Sequence, residues 1–169
     1  QTYVILSLGN MVYNIDFDKV IDAHIEKQAD VTMIYKNING TEDADLSHYA
    51  LLDIDKDGAI KDIEVQPFYP KTTNACLEIF VMEKALLESV VDECSARGDI
   101  DFVKDAIIKK MDGLRMYAYE FEGHFYKVDS MKSYYQTSME FLKADRRAEF
   151  FNRERPIYTK TKDQSPTKY

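Results

Sequence analysis

Short apolar runs and amphipathic stretches alternate along the chain, and their periods predict the order of its strands and helices. Residues 3–9 and 31–35 are apolar runs typical of buried strands. Between them, apolar side chains recur with helical spacing over about 17–28, after Asp16 or Asn14 as a cap. This strand–helix–strand order predicts that the two strands pair in parallel through a right-handed crossover.

The remaining pattern predicts one hairpin and then a further series of strands and helices. Residues 50–54 and 59–65 flank Asp55-Lys-Asp-Gly58, a sequence typical of a tight hairpin turn. Downstream, the pattern predicts strands over 74–82, 115–122 and 123–128, and the last of these is expected to return beside the strand before it. It also predicts helices over 83–97, 101–111, 130–143 and 145–151. Strands alternating with helices in this way favour an α/β fold with a mainly parallel sheet and helices on both faces.

Composition narrows the class of protein. The 169 residues are 45% hydrophobic, which suits one domain of ordinary size with its own core. The net charge of −8 argues against nucleic acid or an anionic membrane as a partner. No apolar run approaches the roughly 18 residues that span a bilayer. The two cysteines, Cys76 and Cys94, lie in apolar elements without a CxxC spacing, so we expect buried, reduced thiols in a cytoplasmic protein.

The first strand ends at a position where α/β proteins commonly bind ligands. In open sheets, ligands and metals gather beyond the carboxyl ends of strands. Asn10 stands at that point, whereas an aspartate there could hold a divalent cation. The chain therefore has the arrangement expected of a ligand site but lacks the charge for metal-dependent chemistry. The start of the chain inside a strand, without Met, also predicts a fragment of a longer protein.

An acidic segment matches the calcium-loop pattern of EF-hands. Its anchor residues are Asp53, Asp55, Asp57 and Glu64. An EF-hand needs a helix on each side, but the flanking residues are β-like and Pro67 prevents an immediate helix. We therefore expect an acidic hairpin turn that holds no metal, with a calcium-binding module as the alternative.

Other candidate chemistry is sparse. His24 falls on the apolar face of the first helix and is expected to be a hydrogen-bonded core or boundary histidine. His48 and His124 share no ligand spacing with it, and Ser7 does not lie in a nucleophile elbow. The chain also contains no Gly-rich phosphate loop.

Several collinear segments together resemble one family. They are 8–16, His24 with 27–32, 101–105, 117–124, 129–134 and 155–158. Their order and spacing resemble bacterial glucose-1-phosphate adenylyltransferase, also called ADP-glucose pyrophosphorylase. The resemblance implies a Rossmann-like, glycosyltransferase-A-like nucleotidyltransferase fold that is incomplete. Residues 1–152 would be the later half of that domain, and 153–169 a linker toward an absent left-handed β-helix domain.

The departures from this family fall at its functional positions. The resemblance implies that catalytic members carry Mg²⁺-binding aspartates where this chain has Asn10 and Lys127. Their sugar-phosphate lysine is replaced by Gln66, and their Ser-Met-Gly becomes Cys76-Leu-Glu78. An amide and a cation in place of two acids would remove the metal site. Glu78 in place of a glycine would oppose binding of a phosphorylated sugar by both its size and its charge.

These departures resemble the non-catalytic, D-type regulatory subunit of the family. The resemblance implies a role in glycogen biosynthesis, at the formation of ADP-glucose from ATP and glucose 1-phosphate. It also implies no cofactor in this chain, where catalytic members use Mg²⁺. The expected partner is a catalytic subunit in a hetero-oligomer, and the isolated fragment is expected to self-associate. A weakly active nucleotidyltransferase of the same family is the alternative.

Overall fold

Two units make up the chain, which a computed structural model describes over residues 2–39, 46–98 and 101–158. The first unit comprises Gln1–Met11 with Ile15–Glu122, and the second comprises Val12–Asn14 with Gly123–Tyr169. The predicted division into 1–152 and a linker over 153–169 stays a prediction, and residues 159–169 lie outside the described part of the chain.

Most of the predicted strands and helices are present, many of them with shorter bounds. Up to the hairpin they are β1 (Tyr3–Ser7), β2 (Met11–Val12), α1 (Phe17–Glu26), β3 (Val31–Asn37), a 3₁₀ turn (Leu46–His48), β4 (Ala50–Ile54) and β5 (Ile60–Val65). After it come β6 (Asn74–Glu83), α2 (Lys84–Arg97), a π-helix (Phe102–Ile107), a 3₁₀ segment (Ile108–Gly113) and β7 (Met116–Glu120). The second unit adds β8 (Tyr126–Lys127), α3 (Met131–Glu140) and α4 (Ala144–Phe150).

A six-stranded sheet forms the centre of the first unit. Its order is β5-β4-β6-β3-β7, and β1 also pairs with β6. Both β1 and β3 run antiparallel to β6, so the predicted direct pairing of β1 with β3 is wrong. β6 lies between them, and seven of its ten residues are apolar and buried, which suits a central strand.

The α/β class is confirmed, but the sheet is less parallel than the pattern indicates. Among the described strands of this sheet, β3 and β7 form the parallel pair, whereas the other pairings are antiparallel. The apolar runs could not show this, because strand direction depends on which strands become neighbours.

The β4–β5 hairpin is confirmed at its predicted position. Leu52 lies opposite Ile63, and the turn closes through Gly58 at a φ of 87°. A positive φ of this size is the left-handed region that glycine adopts without a steric cost. Local turn chemistry therefore sets the register of this hairpin.

Two other segments differ from prediction. The α-helix expected over 101–111 is instead a π-helix followed by a 3₁₀ segment, and this winding buries Val103, Ala106 and Ile107. The strand expected to return beside 115–122 is only the two-residue β8, which pairs with β2. No helix in the described part of the chain is long and apolar enough to cross a membrane.

Candidate functional site

The turn between β1 and β2 carries Asn10, the position predicted to be a lost metal ligand. Asn10 is half-buried in the first unit, and its Oδ1 is shielded from solvent without a hydrogen-bond partner among the described residues. Lys127, the other predicted position, lies in β8 of the second unit. A shielded carbonyl oxygen without a donor is uncommon in folded proteins, so Asn10 is an unusual position of the first unit.

The donor chemistry at these two positions does not fit Mg²⁺. Magnesium in nucleotide sites is held by carboxylates and phosphates. Asn10 offers a neutral amide oxygen, and Lys127 an ammonium group that repels a cation. Over 2–39, 46–98 and 101–158, no three His, Cys, Asp or Glu side chains come together in a way that could hold a metal ion.

Two of the three altered sugar-phosphate positions, Gln66 and Glu78, share an unusual backbone conformation. Gln66, just after β5, has a φ of 49°, and Glu78, inside β6, has a φ of 54°. Positive φ is the left-handed region, which costs most side chains roughly 1–2 kcal/mol and costs glycine almost nothing. Sequence reasoning could not detect this strain, because neither residue type signals a left-handed conformation.

The strain at Glu78 belongs to an irregularity between β3 and β6. Ile34 lies opposite Ile79, but the next residue, Tyr35, lies opposite Cys76, so two residues of β6 are skipped. Such a bulge commonly places one residue in the left-handed region, usually glycine. The buried Cys76 supports this bend, because its Sγ accepts a hydrogen bond from the Glu78 backbone N–H at 3.3 Å.

Two carboxylates of the acidic segment, Asp55 and Glu64, form contacts that stabilise the hairpin and the residues beside it. Asp55 Oδ1 accepts the backbone N–H groups of Asp57 and Ala59, each at 2.9 Å, and these bonds lower the pKa of the Asp55 carboxyl. Glu64 forms a 2.7 Å ion pair with Lys71, whose hydrogen bond lowers the Glu64 pKa. Two of the four proposed calcium ligands therefore already have partners.

The remaining two acids of the loop are exposed. Asp53 lies opposite Asp62 in the β4–β5 register, and Asp57 projects from the turn. The segment is flanked by strands on both sides, as its pattern predicts. The expectation that it holds no calcium stays a prediction.

His24 is the core histidine that its position predicts. It is 2% exposed, and its Nδ1 lies 2.7 Å from the Thr32 hydroxyl. Burial lowers the pKa of the imidazole, with Asp30 and Glu83 opposing that shift. Its Nε2 has no hydrogen-bond partner among the described residues, and the ring meets Tyr3 edge to face at 5.1 Å between centroids.

Polar contacts that the sequence did not reveal appear in both units. In the first, Asp30 pairs with Arg115 across 85 positions of sequence. In the second, His124 Nδ1 lies 2.8 Å from a carboxylate oxygen of Glu149. Neither pair has a local signal, since each joins elements that are far apart along the chain.

This fold is the Rossmann-like fold of nucleotidyltransferases. The structure is similar to that of a protein described as a glucose-1-phosphate thymidylyltransferase from Bacillus anthracis, in complex with sucrose. The TM-score is 0.67 at 15% identity, and the match covers 82% of this chain and 54% of the other. At this identity the likeness establishes the fold alone.

Sequence comparison then points to a particular group of relatives. The chain is 30% identical to the glucose-1-phosphate adenylyltransferase of Bacillus subtilis and 26% identical to that of Mycoplasma mobile. These matches cover 97% and 98% of this chain but 43% of each relative, so the chain spans about two fifths of their length. The Clostridium perfringens protein of the same name is 29% identical over 93% of the chain. No family model matches the sequence.

Proposed function

We propose that this chain serves in the formation of ADP-glucose from ATP and glucose 1-phosphate, and thereby in glycogen synthesis in the cytoplasm. The similarity to proteins named glucose-1-phosphate adenylyltransferase supports the reaction, and the nucleotidyltransferase fold is consistent with it. We further propose that the chain is non-catalytic and corresponds to a D-type regulatory subunit.

Asn10 is the observation that carries the non-catalytic role. It lies in the turn after β1, where the family resemblance places a magnesium-binding aspartate, and its amide oxygen is uncharged and shielded. Adenylyl transfer depends on a cation that neutralises the triphosphate as its charge shifts. Lys127 at the second position would repel that cation, so we expect no metal-assisted turnover from this chain.

The sugar-phosphate positions support the same role. Gln66 lacks the charge with which a lysine would bind phosphate, and Glu78 adds a negative charge. Both have a left-handed backbone that suits glycine better than a long side chain. We therefore expect glucose 1-phosphate to bind more weakly than about 1 mM.

Two experiments test the proposed non-catalytic, regulatory role: an activity assay of the chain alone and its co-expression with a catalytic enzyme. Purified chain is assayed for pyrophosphate release from ATP, glucose 1-phosphate and Mg²⁺, with the Bacillus subtilis enzyme as the active control. We expect no turnover above background. Turnover that Asn10→Ala abolishes would establish the alternative, a weakly active nucleotidyltransferase, and overturn the non-catalytic role.

The proposed partner is a catalytic subunit in a hetero-oligomer. Co-expression of the chain with the Bacillus subtilis enzyme, followed by light scattering on the purified mixture, tests that association. We expect co-elution and a changed apparent affinity for ATP. Separate elution with unchanged kinetics would contradict the regulatory role, whatever the activity assay shows.

A further inference from the structure

The tip of the β4–β5 hairpin contacts β7, which lies at the opposite end of the strand order. This hairpin tip comprises residues 55–59. Its Gly58 carbonyl accepts the Ala118 backbone N–H at 2.8 Å, and Ala59 forms an isolated antiparallel bridge with Tyr117. Since β7 pairs with β3 on its other side, the hairpin tip occupies the outer edge of β7.

β7 has little protection of its own against pairing with another strand. Its sequence, Met-Tyr-Ala-Tyr-Glu over 116–120, contains no proline and a single charged residue at its end. Natural sheets protect their edges with charges, proline, bulges or a covering segment. The hairpin tip is such a covering segment, because it takes the Ala118 N–H that a further strand would otherwise use.

Two side chains hold the hairpin tip in place. Lys27, next to the end of α1, donates from Nζ to the Asp57 carbonyl at 3.0 Å, and the same ammonium lies 5.7 Å from the centre of the Tyr117 ring. Lys27 therefore joins the hairpin tip to β7. Within the tip, Asp55 Oδ1 accepts the Asp57 and Ala59 backbone N–H groups, each at 2.9 Å, and so maintains the shape of the turn.

The hairpin tip is less firmly packed than the body of the hairpin. None of residues 55–59 is buried, whereas Leu52 and Ile63 are 0% and 5% exposed. Local opening of a folded protein occurs where few buried contacts hold a segment. The tip can therefore separate from β7 while the body of the hairpin stays in the core.

We infer that the hairpin tip is a cover that opens locally and controls whether the outer edge of β7 can pair with β7 of a second copy of the chain. A second copy fits this edge because two identical edges pair antiparallel about a two-fold axis. Lys27 and Asp55 set the balance between the closed and open states, since both of their contacts belong to the closed one. This device is independent of the proposed reaction.

Hydrogen exchange at a single amide tests the opening. The opened variant combines Lys27→Met with Asp55→Ala, which removes both contacts. Its control combines Lys56→Met with Asp57→Ala, the same two changes at exposed positions of the hairpin tip. By NMR, the Ala118 amide should exchange at least about tenfold faster in the opened variant than in the control.

A reference amide shows whether the opening is local. Val81 is fully buried in β6, and its amide should exchange equally in the two variants. Equal exchange of the Ala118 amide in both would overturn the inference, and so would acceleration of Val81 by the same factor as Ala118. If the opened variant does not fold, Lys27→Met alone is compared with Lys56→Met. The expected difference at Ala118 is then about threefold, and equal rates again overturn the inference.

Association tests the consequence of opening. Both variants also carry Tyr135→Glu, so that the exposed Tyr135 ring on α3 does not contribute to self-association. Light scattering should give a higher mass for the opened variant than for the control at the same concentration, with loss of the amide signals of 116–120. Equal masses, or a higher mass with those signals unchanged, would refute pairing through β7.

Discussion

Arg115 donates hydrogen bonds to the Asp30 carboxylate from both its side chain and its backbone. The guanidinium Nη2 lies 3.0 Å from Asp30 Oδ1 and Nε 3.3 Å from Oδ2, while the Arg115 backbone N–H donates to Oδ2 at 2.8 Å. In return, the Asp30 backbone N–H donates to the Arg115 carbonyl at 2.9 Å. This exchange ties the start of β3 to the start of β7, where the parallel pairing begins with Val31 opposite Met116.

The contact predicts acid sensitivity. The Arg115 side-chain hydrogen bond is the largest cause of a lowered Asp30 pKa, below its usual 3.8. A group whose pKa is depressed by folding stabilises the fold above its unfolded pKa, and that contribution is lost as pH falls through the folded value. Asp30→Asn should cost at most about 1 kcal/mol at pH 7 in urea unfolding, and the cost should shrink at acid pH, as the pH falls below 3.8.

A second variant that removes the same charge distinguishes the effect of the Asp30–Arg115 contact from that of losing any acidic side chain. Asp22→Asn removes the same charge from an exposed position of α1 and should change the free energy of unfolding little at either pH. Equal losses in the two variants would refute a specific role for the Asp30–Arg115 contact.

Backbone strain at Glu78 predicts that glycine stabilises this position. Its φ of 54° is unfavourable for any residue with a Cβ, so Glu78→Gly should raise the free energy of unfolding by about 1 kcal/mol. Glu78→Ala removes the carboxylate but keeps the Cβ, and it should give little gain. If urea titrations show that alanine stabilises as much as glycine, charge rather than backbone strain is responsible.

The acidic loop should not bind calcium with micromolar affinity. Asp55 is committed to the backbone N–H groups of its own turn and Glu64 to Lys71, and strands flank the loop. Calorimetry with Ca²⁺ should show no heat of specific binding. Asp55→Asn should instead lower the thermal midpoint more than Asp57→Asn does. Micromolar binding that Asp55→Ala removes would establish the calcium-module alternative.

The isolated chain should self-associate through the second unit. Met131 on α3 is 82% exposed and Tyr135 64%, and they belong to an exposed apolar stripe on that helix. Exposed apolar patches commonly lie in protein contacts. Light scattering should give a mass above that of the monomer, and Tyr135→Glu should reduce it. Lys132→Glu changes another exposed residue of α3 and should leave the mass unchanged. A monomer at high concentration would disprove the prediction.

The sequence by itself determined the turns and helix ends that depend on neighbouring residues. The hairpin from β4 to β5 follows from the turn residues around Gly58, and α2 ends at Gly98, whose φ is 75°. Ser130 begins α3 with a reciprocal bond to Ser133. Each of these features depends on residues within a few positions of one another, so no tertiary information was needed.

Tertiary structure alone decided the neighbours of each strand. Nothing in the apolar runs places β6 between β1 and β3, or pairs β8 with β2, because equally apolar strands compete for the same positions. Packing likewise turned the predicted helix after Asp101 into a π-helix, which buries Val103 and Ile107 together.

Some features of the candidate site could likewise be predicted from the sequence, whereas others depend on the tertiary structure. The residue types at Asn10, Gln66, Glu78 and Lys127 were enough to predict a changed charge at each position, since charge belongs to the residue itself. The left-handed backbone at Glu78 and the shielded Asn10 oxygen could not be foreseen. Both depend on how a distant strand or turn packs against the residue, and that is settled only when the sheet assembles.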